Sequence, residues 1–416
     1  MGDPSTARRE ADEKRPLSPN VVALGYVSML TAMSSAMIYG LLPVFLLKVL
    51  GLSMASIGVI EGMAEAANSF VKILSGAASD WIGRRKPLVV YGYALSAVVK
   101  ILYPLANTAF PVLVARVIDR LGKGIRDAPR DAFLADLIAP EVRGTGFGLR
   151  LALAIAGFVL GPLIAIALMW LSGDDFRLVF WVALIPAYLS VLVLVVAVKE
   201  VPVPHDMVER RVPIRRSDLA ALPAAFWWTI AIAGLLSLAR FSQAFLVLKA
   251  YDTGVDAAFV PVILVVMHLV YSLTAYPFGI LADRIDRRRQ LAIGTVILIG
   301  ADLVLASATT IVWVVLGAAL WGLQFGATQG LLGASIADAA PERLRGTAFG
   351  LYDIAIGLAT FLASAGAGAL WMAGGPATVF ALGGCVAAAA VVLLLLQPPK
   401  ARMARAARPA PRPQAH

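Results

Sequence analysis

Sulfur and imidazole are nearly missing from this chain. Cys385 is the single cysteine, so no internal disulfide can form and no thiolate cluster can hold zinc or an iron–sulfur centre. The three histidines, His205, His268 and His416, are far apart in the sequence. No HExxH, Walker loop or nucleophile elbow is present, so the chain is expected to need no metal and no cofactor and not to be an enzyme. Charge is scarce as well: 15% of the 416 residues are Asp, Glu, Lys or Arg, against about 25% in an ordinary soluble protein. The net charge of +10 comes without a basic groove interleaved with aromatics, which argues against a nucleic-acid partner.

What is abundant is apolar. Hydrophobic residues make up 60% of the chain and the mean hydropathy is +0.81, values of an integral membrane protein. Apolar stretches run over residues 21–48, 55–78, 87–106, 109–137, 146–171 and 177–198, and again over 223–248, 257–281, 290–308, 310–338, 347–372 and 376–397. A crossing takes about 20 apolar residues, so the pattern predicts an all-α membrane protein with twelve transmembrane helices, six in each half.

Lys and Arg collect on one side of those helices: before the first, after the second (Arg84, Arg85, Lys86), in the middle (Arg210, Arg211, Arg215, Arg216), after the eighth (Arg287 to Arg289) and in the tail. The opposite loops are short and carry Asp174, Asp175, Asp252 and Asp256. The positive-inside rule then puts both termini in the cytoplasm. The predicted organisation is a polar N-terminal segment 1–18, a six-helix bundle 19–198, a cytoplasmic linker 199–222, a second bundle 223–397 and a basic tail 398–416 suited to anionic membrane lipid.

The two halves repeat each other. Asp136, Pro140, Glu141, Arg143, Gly144, Thr145, Phe147 and Gly148 return as Asp338, Pro341, Glu342, Arg345, Gly346, Thr347, Phe349 and Gly350, with Asp136 and Asp338 202 residues apart. Gly76, Asp80, Gly83, Arg84 and Arg85 are answered by Gly279, Asp283, Asp286, Arg287 and Arg288. Among membrane proteins such duplication marks transporters, whose halves rock about a site at their interface.

The loop Gly76-Ala77-Ala78-Ser79-Asp80-Trp81-Ile82-Gly83-Arg84-Arg85-Lys86 resembles the signature of the major facilitator superfamily between helices two and three. The resemblance implies that family's fold, two homologous six-helix bundles, and a gating role for Gly76, Asp80, Gly83, Arg84 and Arg85 with their counterparts Gly279, Asp283 and Arg287. Arg116 with Gly122 and Gly124 matches the family's helix-four motif, in which a membrane-embedded arginine is linked to proton coupling. Gly148, Gly157, Gly161 and Pro162 resemble the helix-five motif of its drug:proton antiporter branch, a close-packing stripe with a bend suited to a hinge. Within that group the chain is similar to bacterial exporters whose helix four reads like Asp119-Arg120-Leu121-Gly122-Lys123-Gly124-Ile125-Arg126-Asp127. Siderophore and nickel efflux are roles proposed for such proteins. Acids usual in the group are absent here, at Ala32 and Ala36 around Ser34-Ser35, at Ala154 and at Gln243, which weakens a metal-cation reading.

Charged residues inside the predicted spans are the candidate site, because they are costly there unless they face a cavity or a partner. Glu61 and Glu65 lie one turn apart on helix two. Two carboxylates in a low-dielectric site resist ionising together, so this pair, with Arg116 and Asp119 one turn apart on helix four, is the candidate for proton coupling. Ser34, Ser35, Tyr39, Arg150, Arg240, Gln243, Tyr271 and Asp353 are the candidate substrate cavity, with Arg240 suited to an anionic group and Trp227, Phe241 and Tyr276 among the available walls. From Lys123 onward, helix four is expected to be cytoplasmic.

The sequence thus predicts a secondary active transporter: proton-coupled efflux of a small organic molecule such as a drug, siderophore or metabolite, by alternating access. The expected partners are that substrate, protons and membrane lipid, the expected state a monomer, and the expected place the bacterial inner membrane. The alternatives are a nickel-like divalent metal exporter and a non-transporting sensor or scaffold of the same fold.

Overall fold

The computed structural model describes residues 18–82, 85–138, 143–200, 222–328, 330–341 and 344–396, and among these the regular structure is helical throughout. In lipid, a backbone must satisfy its own hydrogen bonds, and a helix of apolar residues does so. The helices are α1 (Pro19–Val44), α2 (Met54–Ile82), α3 (Arg85–Val99), α4 (Leu102–Leu105), α5 (Ala109–Leu137), α6 (Arg143–Ser172) and α7 (Phe176–Ala197) in the first half. The second half holds α8 (Ala224–Ala239), α9 (Ala244–Asp252), α10 (Val262–Arg284), α11 (Arg287–Ser307), α12 (Ile311–Thr328), α13 (Leu331–Ala339) and α14 (Arg345–Leu396). A π-helical turn, Phe45–Val49, extends α1.

Among the described residues nine stretches are long and apolar enough to cross a membrane. One of them, Thr347–Leu396, covers 50 residues and turns at Gly375, whose φ of 77° lies where only glycine sits without strain; Pro376 follows. It supplies two of the apolar runs. Missing from the nine are α2, diluted by Glu61, Glu65 and Lys72, and α5, diluted by the charges between Arg116 and Asp131. Of the predicted N-terminal segment 1–18, linker 199–222 and tail 398–416, all but residues 18, 199, 200 and 222 lie outside the described residues.

Packing repeats as the sequence does. In the first half α1 packs on α6 and α7, and α5 on α2 and α3; in the second, α8 packs on α14, and α12 on α10 and α11. The halves meet through α2 against α14 and through α6 against α10. Small residues allow the first of these contacts: a Cβ on Gly62 would stand 2.8 Å from the Phe361 carbonyl oxygen, and one on Gly368 would reach the Met54 carbonyl and lie 2.9 Å from Ala55 Cα.

The apolar core is continuous at one end of the bundle and divided at the other. At the end away from Pro19, a single cluster joins Met37, Leu41 and Phe45 of the first half with Phe245, Leu248, Ile263 and Trp371 of the second. At the end near Pro19, one cluster, with Val21, Tyr93, Phe133 and Leu194, belongs wholly to the first half. Two others there, one with Leu236, Leu291 and Leu394 and one with Phe226, Ile336 and Ala348, belong wholly to the second. Buried apolar side chains seal the halves at the far end, whereas at the near one the buried clusters stay within each half and α2 and α14 keep the halves in contact.

At the near end each half carries an ion pair of the repeat. Arg85 Nη1 lies 3.0 Å from Asp136 and Arg287 Nη1 2.6 Å from Asp338. Each pair is internal to its half, so neither bolts the halves together. Both are partly exposed, and pairs of that kind contribute about 0–1 kcal/mol. Arg85→Ala and Arg287→Ala are therefore expected to leave the thermal unfolding midpoint within a few degrees of the parent protein, measured in detergent.

Candidate functional site

Between the halves lies a cavity of about 560 Å³. Its charged wall is α5, where Arg116, Asp119, Arg120, Lys123, Arg126, Asp127 and Arg130 recur at steps of three and four and so project from one face into the cavity. Beyond Lys123, where the sequence places helix four on the cytoplasmic side, the cavity extends along the helix toward the near end, and the charged face stays with it.

The two glutamates of α2 both line the cavity, but each has its own partner. Arg116 grips Glu61 through two hydrogen bonds, Nε to Oε1 at 2.9 Å and Nη2 to Oε2 at 2.6 Å, and both side chains are buried, at 4% and 2% exposure. Glu65 is held by Arg120 at 2.7 Å. The expected mutual pairing of the carboxylates is thus replaced by a guanidinium for each, because the α5 repeat presents its arginines in register with the α2 acids. Nor do Arg116 and Asp119 pair with each other. Asp119 accepts a hydrogen bond from the Tyr39 hydroxyl, and the Tyr39 ring lies 3.9 Å from the Arg116 guanidinium carbon and 4.9 Å from that of Arg120.

A buried lysine completes this cluster. Lys100, 1% exposed, donates to Ser34 Oγ at 2.8 Å and Ser35 Oγ at 3.0 Å, and stands near Asp119. Sequence reasoning missed it because it stands near one end of its apolar run, where a lysine ordinarily reaches out to the lipid headgroups.

In the second half the helix breaks where the chain turns polar. Between α8 and α9, residues 240–243 leave the helix. Arg240 donates to Thr328 Oγ1 at 2.8 Å and lies over Phe325, 5.7 Å from the ring centre. Ser242 donates from its hydroxyl to Glu61 Oε2 at 3.0 Å, so Glu61 is bonded on both sides of the interface. A second bridge is aromatic: Phe158 of α6 stacks on His268 of α10, centroids 4.9 Å apart and planes 3° from parallel.

The cavity wall therefore brings together Ser35, Tyr39, Glu61, Glu65, Arg116, Asp119, Arg150, Arg240 and Gln243. Three candidates stand off it. Ser34 is fully buried beneath Lys100. Tyr271 packs edge-on against Phe325. Asp353 lies 3.8 Å from Lys72, an ion pair across the halves. Trp227 and Tyr276 are exposed on the outer surface of the bundle, at 46% and 77%, as lipid-facing side chains would be.

Of the helix-five stripe, Gly157 and Gly161 press against α1, where added Cβ atoms would meet the carbonyls of Met29 and Met33. Pro162 lies within α6, and Gly148 has open space around it. In the gating motif, Gly83 and Arg84 fall outside the described residues, and for Gly76, Asp80 and Asp283 the described structure gives the helix but not the side chain. Gly279 is exposed on α10. Among the described residues no three of His, Cys, Asp and Glu converge as a metal site would require.

Two six-span halves, sealed at one end around a charged central cavity, define the architecture of a secondary transporter. The sequence model of the Major Facilitator Superfamily matches residues 24–251 and again 229–415, and the chain belongs to that family. An uncharacterised transporter of the same superfamily from Methanocaldococcus jannaschii is 33% identical over 371 residues, covering 88% of this chain and 91% of the relative. The multidrug resistance protein MdtH of Proteus mirabilis is 28% identical over 243 residues, covering 51% of this chain and 60% of MdtH. The solved peptide transporter POT in complex with sulfate shares the fold, with a TM-score of 0.77 at 14% identity, over 96% of this chain and 99% of that one. The protein is an integral membrane protein of a transporter family, not an enzyme family.

Proposed function

We propose that this protein exports a small organic molecule across the bacterial inner membrane in exchange for protons, as a monomer working by alternating access. The observation that carries the coupling is Glu61, held by Arg116 within its own half and by Ser242 of the other. An ionised Glu61 needs both partners; a protonated one has less hold on either, and the junction between the halves loosens. Proton loading is thereby tied to the rocking of bundle 19–198 against bundle 223–397.

By the positive-inside rule the near end is cytoplasmic, so the cavity is open to substrate from the cell interior. Gly157, Gly161 and Pro162 serve as the hinge of α6 along α1. The motif residues Gly76, Asp80, Gly83, Arg84, Arg85, Gly279, Asp283 and Arg287 act at the cytoplasmic gate. Similarity to MdtH, named for multidrug resistance, supports the outward direction.

Glu61→Gln, reconstituted in proteoliposomes with an imposed pH gradient, is expected to abolish gradient-driven accumulation of substrate while leaving exchange of substrate for substrate. Accumulation that survives in Glu61→Gln would remove Glu61 from the coupling step.

A further inference from the structure

The carboxylates on the cavity wall are Glu61, Glu65, Asp119 and Asp127, and each has a partner in the first half: Arg116, Arg120, the Tyr39 hydroxyl with Lys100 nearby, and Arg130 at 2.8 Å. Against these four stand seven cationic side chains on the same wall. The surplus is not spread evenly. Of the four wall cations left over, Arg126 is occupied by Ser96 at 2.6 Å and by the face of Tyr93, Arg150 reaches Asp131 at 4.0 Å, and Lys123 stands on the same helix face as Asp127, one turn away, among the acids of the first half.

Arg240 is different. The second half contributes no carboxylate to the described cavity wall, and among the described residues Arg240 makes no ion pair. Its Nε is buried without a hydrogen-bond partner, and its recorded contacts are the Thr328 hydroxyl and the face of Phe325, neither of them an anion. A guanidinium at membrane depth without an anion is costly and marks a ligand site.

The site is also built. Thr328 Oγ1, which accepts from Arg240, also accepts from Gln324 Nε2 at 2.9 Å and donates to the Gln324 carbonyl at 2.9 Å, which fixes the guanidinium at the helix break. Beside it the cavity offers flat apolar surfaces in Phe325 and in the stacked Phe158 and His268.

We propose that Arg240 is the recognition site for an oxyanion, a carboxylate or a phosphate or sulfate ester, and that the substrate is an organic anion whose flat apolar body lies against Phe158, His268 and Phe325. The planar guanidinium fork suits two-point contact with such a group, and a cavity of about 560 Å³ is the size of a small-molecule site. This rests on the exporter reading for its physiological sense but not for its test.

The test compares 2-naphthoate, 2-naphthyl phosphate, neutral 2-naphthamide and cationic 2-naphthyl-trimethylammonium as stabilisers of the purified protein in thermal unfolding, which reports binding to the native state. The anions are expected to raise the midpoint and the amide and the cation not to. Arg240→Gln is expected to weaken anion binding tenfold or more, and Arg240→Lys to retain part of it. Equal stabilisation by naphthamide, preference for the cation, an unchanged anion preference in Arg240→Gln, or no response to either anion would each overturn the proposal, the matched series in the unaltered protein guarding against a misfolded variant. Flux of labelled naphthoate into vesicles separates the two readings. Arg240-dependent binding without flux would sink the exporter and keep the anion site, whereas pH-driven accumulation of a cation independent of Arg240 would do the reverse.

Discussion

Arg116→Gln is expected to lower stability by about 3–5 kcal/mol and to abolish transport. It removes both hydrogen bonds to Glu61 and leaves a carboxylate 2% exposed with only Ser242 for a partner, and an uncompensated buried charge costs about that much. The double variant Glu61→Gln/Arg116→Gln is expected to recover more than half of the loss, since no charge is then left unpaired, yet to remain inactive in the proton-coupled transport proposed above. Thermal unfolding of the three variants in detergent, closed as a double-mutant cycle, measures the pair. Equal losses in the single and double variants would mean that Arg116 contributes through packing on Tyr39 and not through its charge.

The second large effect is expected at Gly58. Its Cα faces the carbonyl of Ser364 across the contact between α2 and α14, with the Gly368 backbone just beyond, so even a methyl has no room. Gly58→Leu forces the halves apart where the core is continuous. Overpacking of this kind costs about 1–3 kcal/mol, borne only by the conformation sealed at that end. A bias of that size changes the ratio of two conformations by about 5–150-fold. Thr360 lines the cavity, so Thr360→Cys in a Cys385→Ser background is expected to react at least tenfold faster with a membrane-impermeant thiol reagent applied from the far side once Gly58→Leu is present. An unchanged rate would show that this helix contact is not the seal.

Much of the architecture was legible because lipid leaves few options. A run of apolar residues of crossing length has to be a helix, and the 202-residue repeat already implied paired halves with matching contacts. The turn at Gly375 falls in the gap that the apolar pattern leaves between residues 372 and 376. Less legible was what the charged residues do to one another. Periodicity tells which face Glu61 and Glu65 share, but not how α2 is rotated against α5, and that rotation decides whether an acid meets an acid or an arginine.

Asp353 and Tyr271 stand off the cavity wall for a related reason: a polar group inside a span has a cavity or a partner to face, and the sequence does not say which. The break at residues 240–243 could have been read. Arg-Phe-Ser-Gln in the middle of an apolar run sets three polar side chains where an uninterrupted helix would send them to different sides, and unwinding lets Arg240, Ser242 and Gln243 all line the cavity.

The divided core at the near end makes water activity a control variable for this protein. A cavity of about 560 Å³ holds on the order of 20 water molecules at the liquid volume of about 30 Å³ each, and closing the near end must return most of them to bulk. Solutes too large to enter draw that water out, so osmotic pressure performs work on the conformational equilibrium in the same sense as a ligand of the closed form. In a large polyethylene glycol the population shifts away from the open cavity, and the slope of that shift against osmolality counts the waters released on closing.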